Sequence, residues 1–307
     1  MIAKYLLVLS VCSVHFINAQ QFQIPDSLKN RDFDYLFDHI EDDNNSDDKR
    51  SLYLLSFLMK AKAEENWEEL SNGYKNYVHY APDRLKLVYA DSMVVAAKRS
   101  NSNEIIGSAY LSKGIAYYGQ KHLAEAMDIY LIADFYIKKT NNKYLIYKTK
   151  YHIGQIKLYL GYYDEAILIF QECINFFKHS HVRAYLNSLH SLGLCYNKIG
   201  NYGQCTSINE TGIAEGKKTG NLDMESYFIH SEGVNQCMLH NYATAIEKIH
   251  SSLPGIRANK DFSNEMIGYF YIGKSCWGLN DKEKAMAYFE KVDKSYIERD
   301  YIRPDLR

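Results

Sequence analysis

The chain has 307 residues, with 36 Lys+Arg against 37 Asp+Glu and a formal net charge of −1. So even a balance excludes whole-chain electrostatic capture of nucleic acid, which shows as a large basic excess. Hydrophobic residues make up 47% and charged residues 24%, which excludes wholesale disorder, and only 4 prolines in such a length favour long helices.

At the N-terminus, Lys4 supplies a positive charge, residues 5–16 are largely apolar, and Ile17-Asn18-Ala19 ends on a small residue. This order predicts a secretory signal peptide over 1–19. The run is short of the roughly 20 apolar residues a membrane span needs, and no later run reaches that length. Cys12 falls inside this segment. Cys173, Cys195, Cys205, Cys237 and Cys276 remain, an odd number without CxxC spacing. They are expected to be small buried residues rather than a disulfide framework.

Residues 20–65 read as a helical pair, with helices over 33–40 and 48–64 and an acidic loop between them. Carboxylates ligate calcium, but the loop lacks the glycine and the closing glutamate of an EF-hand at the required spacing. A solvated loop is therefore expected. Residues 66–106 read as a degenerate helical unit. Tyr74 and Tyr77 suit its first helix, and Leu85, Ala90 and Met93 its second, without fixing its phase.

A repeat then runs through the rest of the chain. A glycine is followed twelve residues later by a small residue: Gly114 and Ala126, Gly154 and Ala166, Gly193 and Cys205, Gly233 and Ala245, Gly273 and Ala285. The glycines are 40, 39, 40 and 40 residues apart. Sixteen residues after each glycine stands a bulky side chain (Tyr130, Phe170, Ile249, Phe289), with Asn209 the exception. Three further on come Ala133, Cys173, Gly212 and Ser252, then the larger Val292. Turns are marked by Gly161, by Gly200-Asn201 and by Asn241, since Gly and Asn tolerate the left-handed conformation that ends a helix. Thr140-Asn141-Asn142, His179-Ser180-His181, Thr219-Gly220-Asn221 and Lys260-Asp261 separate the units. The units are expected at about 107–146, 147–185, 186–225, 226–265 and 266–303. Each is an antiparallel helix pair that cannot bury its apolar face alone, so neighbours must stack.

Two residues break the pattern. The position before the glycine is apolar in Ile153, Leu192 and Ile272, but is Lys113 and Glu232 elsewhere. A buried charge is costly unless paired. These two are expected to reach the edge, to link helices, or to contact a ligand. Residues 304–307, with Pro304 suited to a first helical turn, read as the start of a cap or a further helix, with continuation expected.

The recurring Gly, small and aromatic positions resemble the tetratricopeptide repeat (TPR) family over residues 66–303. The family's usual period is 34, so a period of 40 implies longer helices. The resemblance implies an all-α fold, a right-handed superhelical solenoid of antiparallel helix pairs, with a concave face lined by first helices. Carried onto this sequence, that face takes Lys148, Tyr151, Gln155 and Tyr159. It continues through Asn187, His190, Asn197 and Lys198, then Tyr227, His230, Val234 and Met238, then Phe270, Lys274 and Trp277. Large rings with a polar handle are good binding anchors. Tyr151, His190 and His230 stand where chaperone-binding members carry Lys, so capture of a C-terminal carboxylate is not expected. Histidine titrates near neutrality, so His190 and His230 suggest pH-sensitive binding.

The sequence has no GxSxG, HExxH, P-loop or dinucleotide fingerprint. His230 and Glu232 are two apart on a helix and face different directions. No catalytic, cofactor-binding or metal-binding residue is expected, and no cofactor is implied. The resemblance implies a noncatalytic scaffold for a protein or peptide ligand in the exported compartment, periplasmic or envelope-associated. No direct nucleic-acid contact by this segment is expected. The signal peptide and lengthened repeats also resemble the periplasmic repeat region of bacterial membrane-anchored TPR regulators and TPR histidine kinases. On that alternative the chain is a sensor part. Its membrane anchor and its output domain (a helix-turn-helix or a kinase) lie beyond it.

Overall fold

A computed structural model describes residues 23–298, and among these every regular element is a helix. The expected signal peptide and the expected C-terminal helix start lie outside the described residues. The chain divides after Ser100 into two compact units.

The first unit holds α1 (Asp26–Lys29), α2 (Phe33–Glu41), α3 (Asp47–Ala63), α4 (Trp67–Tyr80) and α5 (Asp83–Arg99). Asp32 caps α2 by accepting the Tyr35 N–H at 2.8 Å. The acidic loop is tied down by the chain's own cation. Arg50 Nε donates to the Ile40 carbonyl at 2.9 Å, and its guanidinium lies 3.2 Å from Asp47 and 3.9 Å from Asp43. Leu36, Ile40, Leu54 and Phe57 form the core beneath. In α5, Ala90 and Ala97 are seven apart and fully buried, as are Ala126 and Ala133 downstream. This common spacing supplies the phase that the sequence leaves open for the degenerate unit.

The second unit is a stack of five helix pairs: α6 (Asn103–Gly119) with α7 (Leu123–Ile137), α8 (Lys143–Tyr159) with α9 (Tyr163–Phe177), α10 (Val182–Lys198) with α11 (Tyr202–Lys218), α12 (Leu222–Met238) with α13 (Tyr242–Ala258), and α14 (Phe262–Gly278) with α15 (Lys282–Glu298). Each first helix begins four residues before the unit start expected from the glycine spacing. Two of the polar breakers, those ending at Asn142 and Asp261, supply side-chain caps at these starts, as Ser102 does for α6. Ser102, Asn142 and Asp261 accept the N–H groups of Ile105, Leu145 and Asn264.

Close approach of the two helices requires the anchor glycines. A Cβ on Gly154 would lie 2.9 Å from Phe170 Cε1, and one on Gly273 would lie 2.7 Å from Phe289 Cε1. Gly114 faces Tyr130, Gly193 faces Asn209 and Gly233 faces Ile249. In every pair the residue sixteen positions on fills the space a side chain would have taken.

The intra-pair turns hold a central residue at positive φ: Lys121 (63°), Gly161 (86°), Gly200 (76°), His240 (63°) and Asn280 (64°). In the fourth pair the left-handed residue is therefore His240. Asn241, expected there, has φ −83° and stands at the N-terminus of α13. Geometry selects the position, and residue preference only tunes its cost.

First helices touch their neighbours directly, α6 to α8, α8 to α10, α10 to α12 and α12 to α14. Second helices instead touch the following first helix. The layer whose members meet side by side is the inside of a curved stack. The expected lining residues lie in this inner layer. The fold is a helical repeat solenoid.

Candidate functional site

The inner layer is locked by polar contacts between successive first helices. Gln155 of α8 donates to Ser191 Oγ of α10. His190 Nε2 of α10 and Ser231 Oγ of α12 lie 2.8 Å apart, and Asn197 donates to Asn235 Oδ1 at 3.0 Å. Arg183 pairs with Asp223 across the same two helices. Tyr227 of α12 donates to Asp261 Oδ2, at the head of α14, at 2.9 Å. Ser191 and Ser231 stand two residues before their anchor glycines, a position the sequence reading did not single out.

The expected lining residues thus fall into two groups. Gln155, His190, Asn197 and Tyr227 are engaged in joining helices. Tyr151 is half-buried, and burial pushes its phenol up to about 12 while a bond to Ser191 pulls it down. Asn187 is half-buried in α10, and Lys148 lies 5.8 Å from the Tyr144 ring. Phe270 packs on Phe289, with ring centroids 5.8 Å apart. Val234 and Met238 are half-buried, and Lys198 is exposed. The open residues are Tyr159 on α8, 64% exposed, and Trp277 on α14, 54% exposed, with the exposed Lys274 three positions before Trp277. Lys274 Nζ lies 3.6 Å from Met238 Sδ and 5.6 Å from the Tyr271 ring.

His230 is buried at 3% exposure, and its Nε2 has no hydrogen-bond partner. Burial pulls its imidazole down to about 4. Burial, and then the neighbouring His230, hold His190 at about 4 as well. Both rings are neutral near pH 7, so the expected titration near neutrality is absent. Desolvation outweighs the two groups that raise these values, Asp261 and the backbone.

Glu232 is likewise buried, at 2% exposure. Three neutral donors hold its carboxylate: Thr206 Oγ1 at 3.0 Å, Asn209 Nδ2 at 2.9 Å and Gln236 Nε2 at 2.6 Å. Two exceptions to the repeat, Asn209 and Glu232, are thus partners. Asn235 extends the cluster by donating to Thr206 Oγ1 at 2.9 Å and to the Tyr202 carbonyl at 3.0 Å. Lys113, the other charge at this position, is half-buried with its ammonium 5.8 Å from the Tyr117 ring.

The five cysteines beyond the expected signal segment are all buried and unpaired with one another. Burial pushes the Cys173, Cys195 and Cys205 thiols up to about 12, so they are not poised as nucleophiles. Among the described residues no group of three His, Cys, Asp or Glu side chains is placed to hold a metal ion. His181 bonds Ser180 and packs on Tyr144. No helix of the described residues is long and apolar enough to cross a membrane.

No curated protein matches the sequence. The family model for the tetratricopeptide repeat matches residues 147–177 and 268–296, within the α8/α9 and α14/α15 pairs. Several solved structures share the fold. A Rap protein complexed with competence and sporulation factor aligns at TM-score 0.66 and 11% identity, over 87% of this chain and 74% of that one. NprR in complex with its cognate peptide NprX aligns at 0.65 and 14%, over 89% and 80%. Aspartyl phosphate phosphatase F from Bacillus subtilis aligns at 0.63 and 17%, over 85% and 67%. The repeated glycine–aromatic packing, the two matched repeats and these shared folds make the chain similar to tetratricopeptide repeat proteins, with the fold of a helical repeat solenoid.

Proposed function

We propose that the chain is a noncatalytic scaffold that binds a peptide or an extended protein segment on the inner face of its second unit, in the exported compartment. The observation that carries this reading is the division of labour in that layer. One set of polar side chains fastens adjacent helices to each other, which leaves a rigid surface on which Tyr159 and Trp277 stand open. A preformed surface lowers the ordering cost of binding. Two solved structures of the same fold are complexes, one with a factor and one with a cognate peptide, which supports the class of ligand. The apolar N-terminal segment supports export.

The test is selection of peptides from a displayed random library on the full chain, followed by titration of the best binder. Tyr159→Ala with Trp277→Ala is expected to weaken binding at least tenfold while helical circular dichroism is unchanged. Undiminished affinity in the folded double variant would place binding elsewhere.

A second reading treats the array as the sensing part of a longer membrane-anchored regulator. The lengthened 40-residue period behind an apolar N-terminal segment favours it. An antibody against the repeats, applied to fractionated cells, separates the two. A soluble species slightly below 35.6 kDa supports the free scaffold, and a much larger membrane species supports the regulator.

A further inference from the structure

The first unit contains a pocket of its own. It has a volume of about 290 Å³ and is lined by α2 (Phe33, Asp34, Phe37), α3 (Phe57) and α4 (Glu69, Asn72, Lys75, Asn76). That volume suits one large side chain and its backbone rather than a whole cofactor.

Three aromatic side chains, Phe33, Phe37 and Phe57, share the lining with five polar ones. The Phe33 and Phe57 rings lie 4.9 Å apart at 59°, and Phe57 is 2% exposed. Phe37 is 43% exposed and forms an open lip. The floor holds an unanswered polar group, because Asn76 is 8% exposed and its Nδ2 has no partner.

Charge selects among occupants. The pocket carries two carboxylates, Asp34 and Glu69, against one cation, Lys75. Glu69 Oε2 is fixed by Asn72 Nδ2 at 3.2 Å. Besides Asp34, the chain from 32 to 48 adds seven acidic residues with no Lys or Arg among them, against Arg31 just before the run and Lys60, whose ammonium lies 5.4 Å from the Phe33 ring. Arg50 answers only the loop end of this run. The lip at α2 therefore faces a negative field, which favours a cationic ligand.

We propose that this pocket takes one aromatic or large aliphatic side chain of a peptide segment whose neighbouring residues are basic. The apolar side chain stacks on Phe33 and Phe37, and the flanking cations meet Asp34 and Glu69. The proposal rests on the peptide-binding reading above, but it assigns a separate subsite on the first unit.

The test is fluorescence polarisation of the full chain with a labelled hexapeptide, Lys-Lys-Phe-Lys-Lys-Gly. Two control peptides carry Ser in place of Phe, or Glu in place of Lys. Each control is expected to bind at least tenfold more weakly. Phe37→Ala, and Asp34→Asn together with Glu69→Gln, are each expected to weaken the phenylalanine peptide at least fivefold with circular dichroism unchanged. Asp43→Asn, which removes an acid outside the pocket, is expected to change binding by less than twofold. Equal binding of the Phe and Ser peptides overturns the proposal. So does an Asp43→Asn loss as large as that of the pocket variants, which would mean charge attraction alone. Failure of the hexapeptide to bind, or insensitivity to Phe37→Ala, also overturns the pocket. Neither result touches the reading of the second unit, which falls only if library-selected peptides ignore Tyr159 and Trp277.

Discussion

At the scale of single residues, the most consequential side chain is Glu232. Its carboxylate is buried and held by Thr206, Asn209 and Gln236. Removing one hydrogen-bond donor from a charged acceptor costs about 1.5–3 kcal/mol. Asn209→Ala leaves two donors in place, and the expected loss falls in that range. Asn209→Phe with Glu232→Leu restores the pattern of the other repeats. It is expected to lose less than the sum of the single changes, as urea unfolding in a double-mutant cycle would measure. The sequence flagged both residues as exceptions. It could not pair them, because they are 23 positions apart and meet only through the packing of α11 on α12. The histidines make a second prediction. Folded values of about 4 lie below the ordinary 6.5. Stability is therefore full above about pH 6.5 and falls as pH drops toward 4, by about 2 kcal/mol per histidine at pH 5. Thermal unfolding at pH 7.5 and pH 5 checks this, and His230→Met is expected to flatten the difference.

At the scale of helices and turns, the repeat was legible because its constraints are local. An anchor glycine and its facing ring lie within one pair, and the small residues recur at fixed offsets. Gly154→Ala drives a methyl to within 2.9 Å of Phe170 and 3.0 Å of Ile169. An overpacked contact of this kind costs about 1–3 kcal/mol. The turns are subtler. Gly200 has φ 76°, where a Cβ costs about 1–2 kcal/mol, so Gly200→Ala is expected to destabilise by that amount. At His240 the same arithmetic runs in reverse. Glycine relieves about 1–2 kcal/mol of strain and returns about 0.5–1 kcal/mol in chain entropy. His240→Gly is thus expected to stabilise by about 0.5–1 kcal/mol in the same unfolding assay. The helices begin four residues before the approximate unit bounds because the glycine spacing gives the phase of a pair and not its caps. Side-chain acceptance of an N–H is a feature of geometry, not of composition.

At the scale of the molecule, the second unit is a chain of neighbour-to-neighbour interfaces, and its stability is expected to be shared along that chain. Trp277 lies on α14, outside the α11–α12 cluster. With Trp67→Phe leaving it the one tryptophan, Asn209→Ala is expected to lower the urea midpoint followed by Trp277 fluorescence. An unmoved midpoint would show that the damage stays within its own pair. The solenoid and its inner layer could be foreseen, since each follows from a repeating pattern. Which inner residues are open could not, since Gln155, His190, Asn197 and Tyr227 spend their polar groups on the next helix. The pocket of the first unit was equally hidden, as α2 and α4 carry no repeat signal that places Phe37 near Asn76.

The buried Asn209–Glu232 pair also bears on how such an array can change over generations. Most anchor glycines meet a ring or Ile249 inside their own pair, and any two such modules could be exchanged or duplicated without chemical conflict. The third and fourth modules cannot. A recombination that put another module ahead of α12 would set Tyr, Phe or Ile against the Glu232 carboxylate, and a chain that lost the fourth module would leave Asn209 facing an apolar helix. The pair is a directional key: it fixes which module follows which, and makes the order of the array heritable as well as its length.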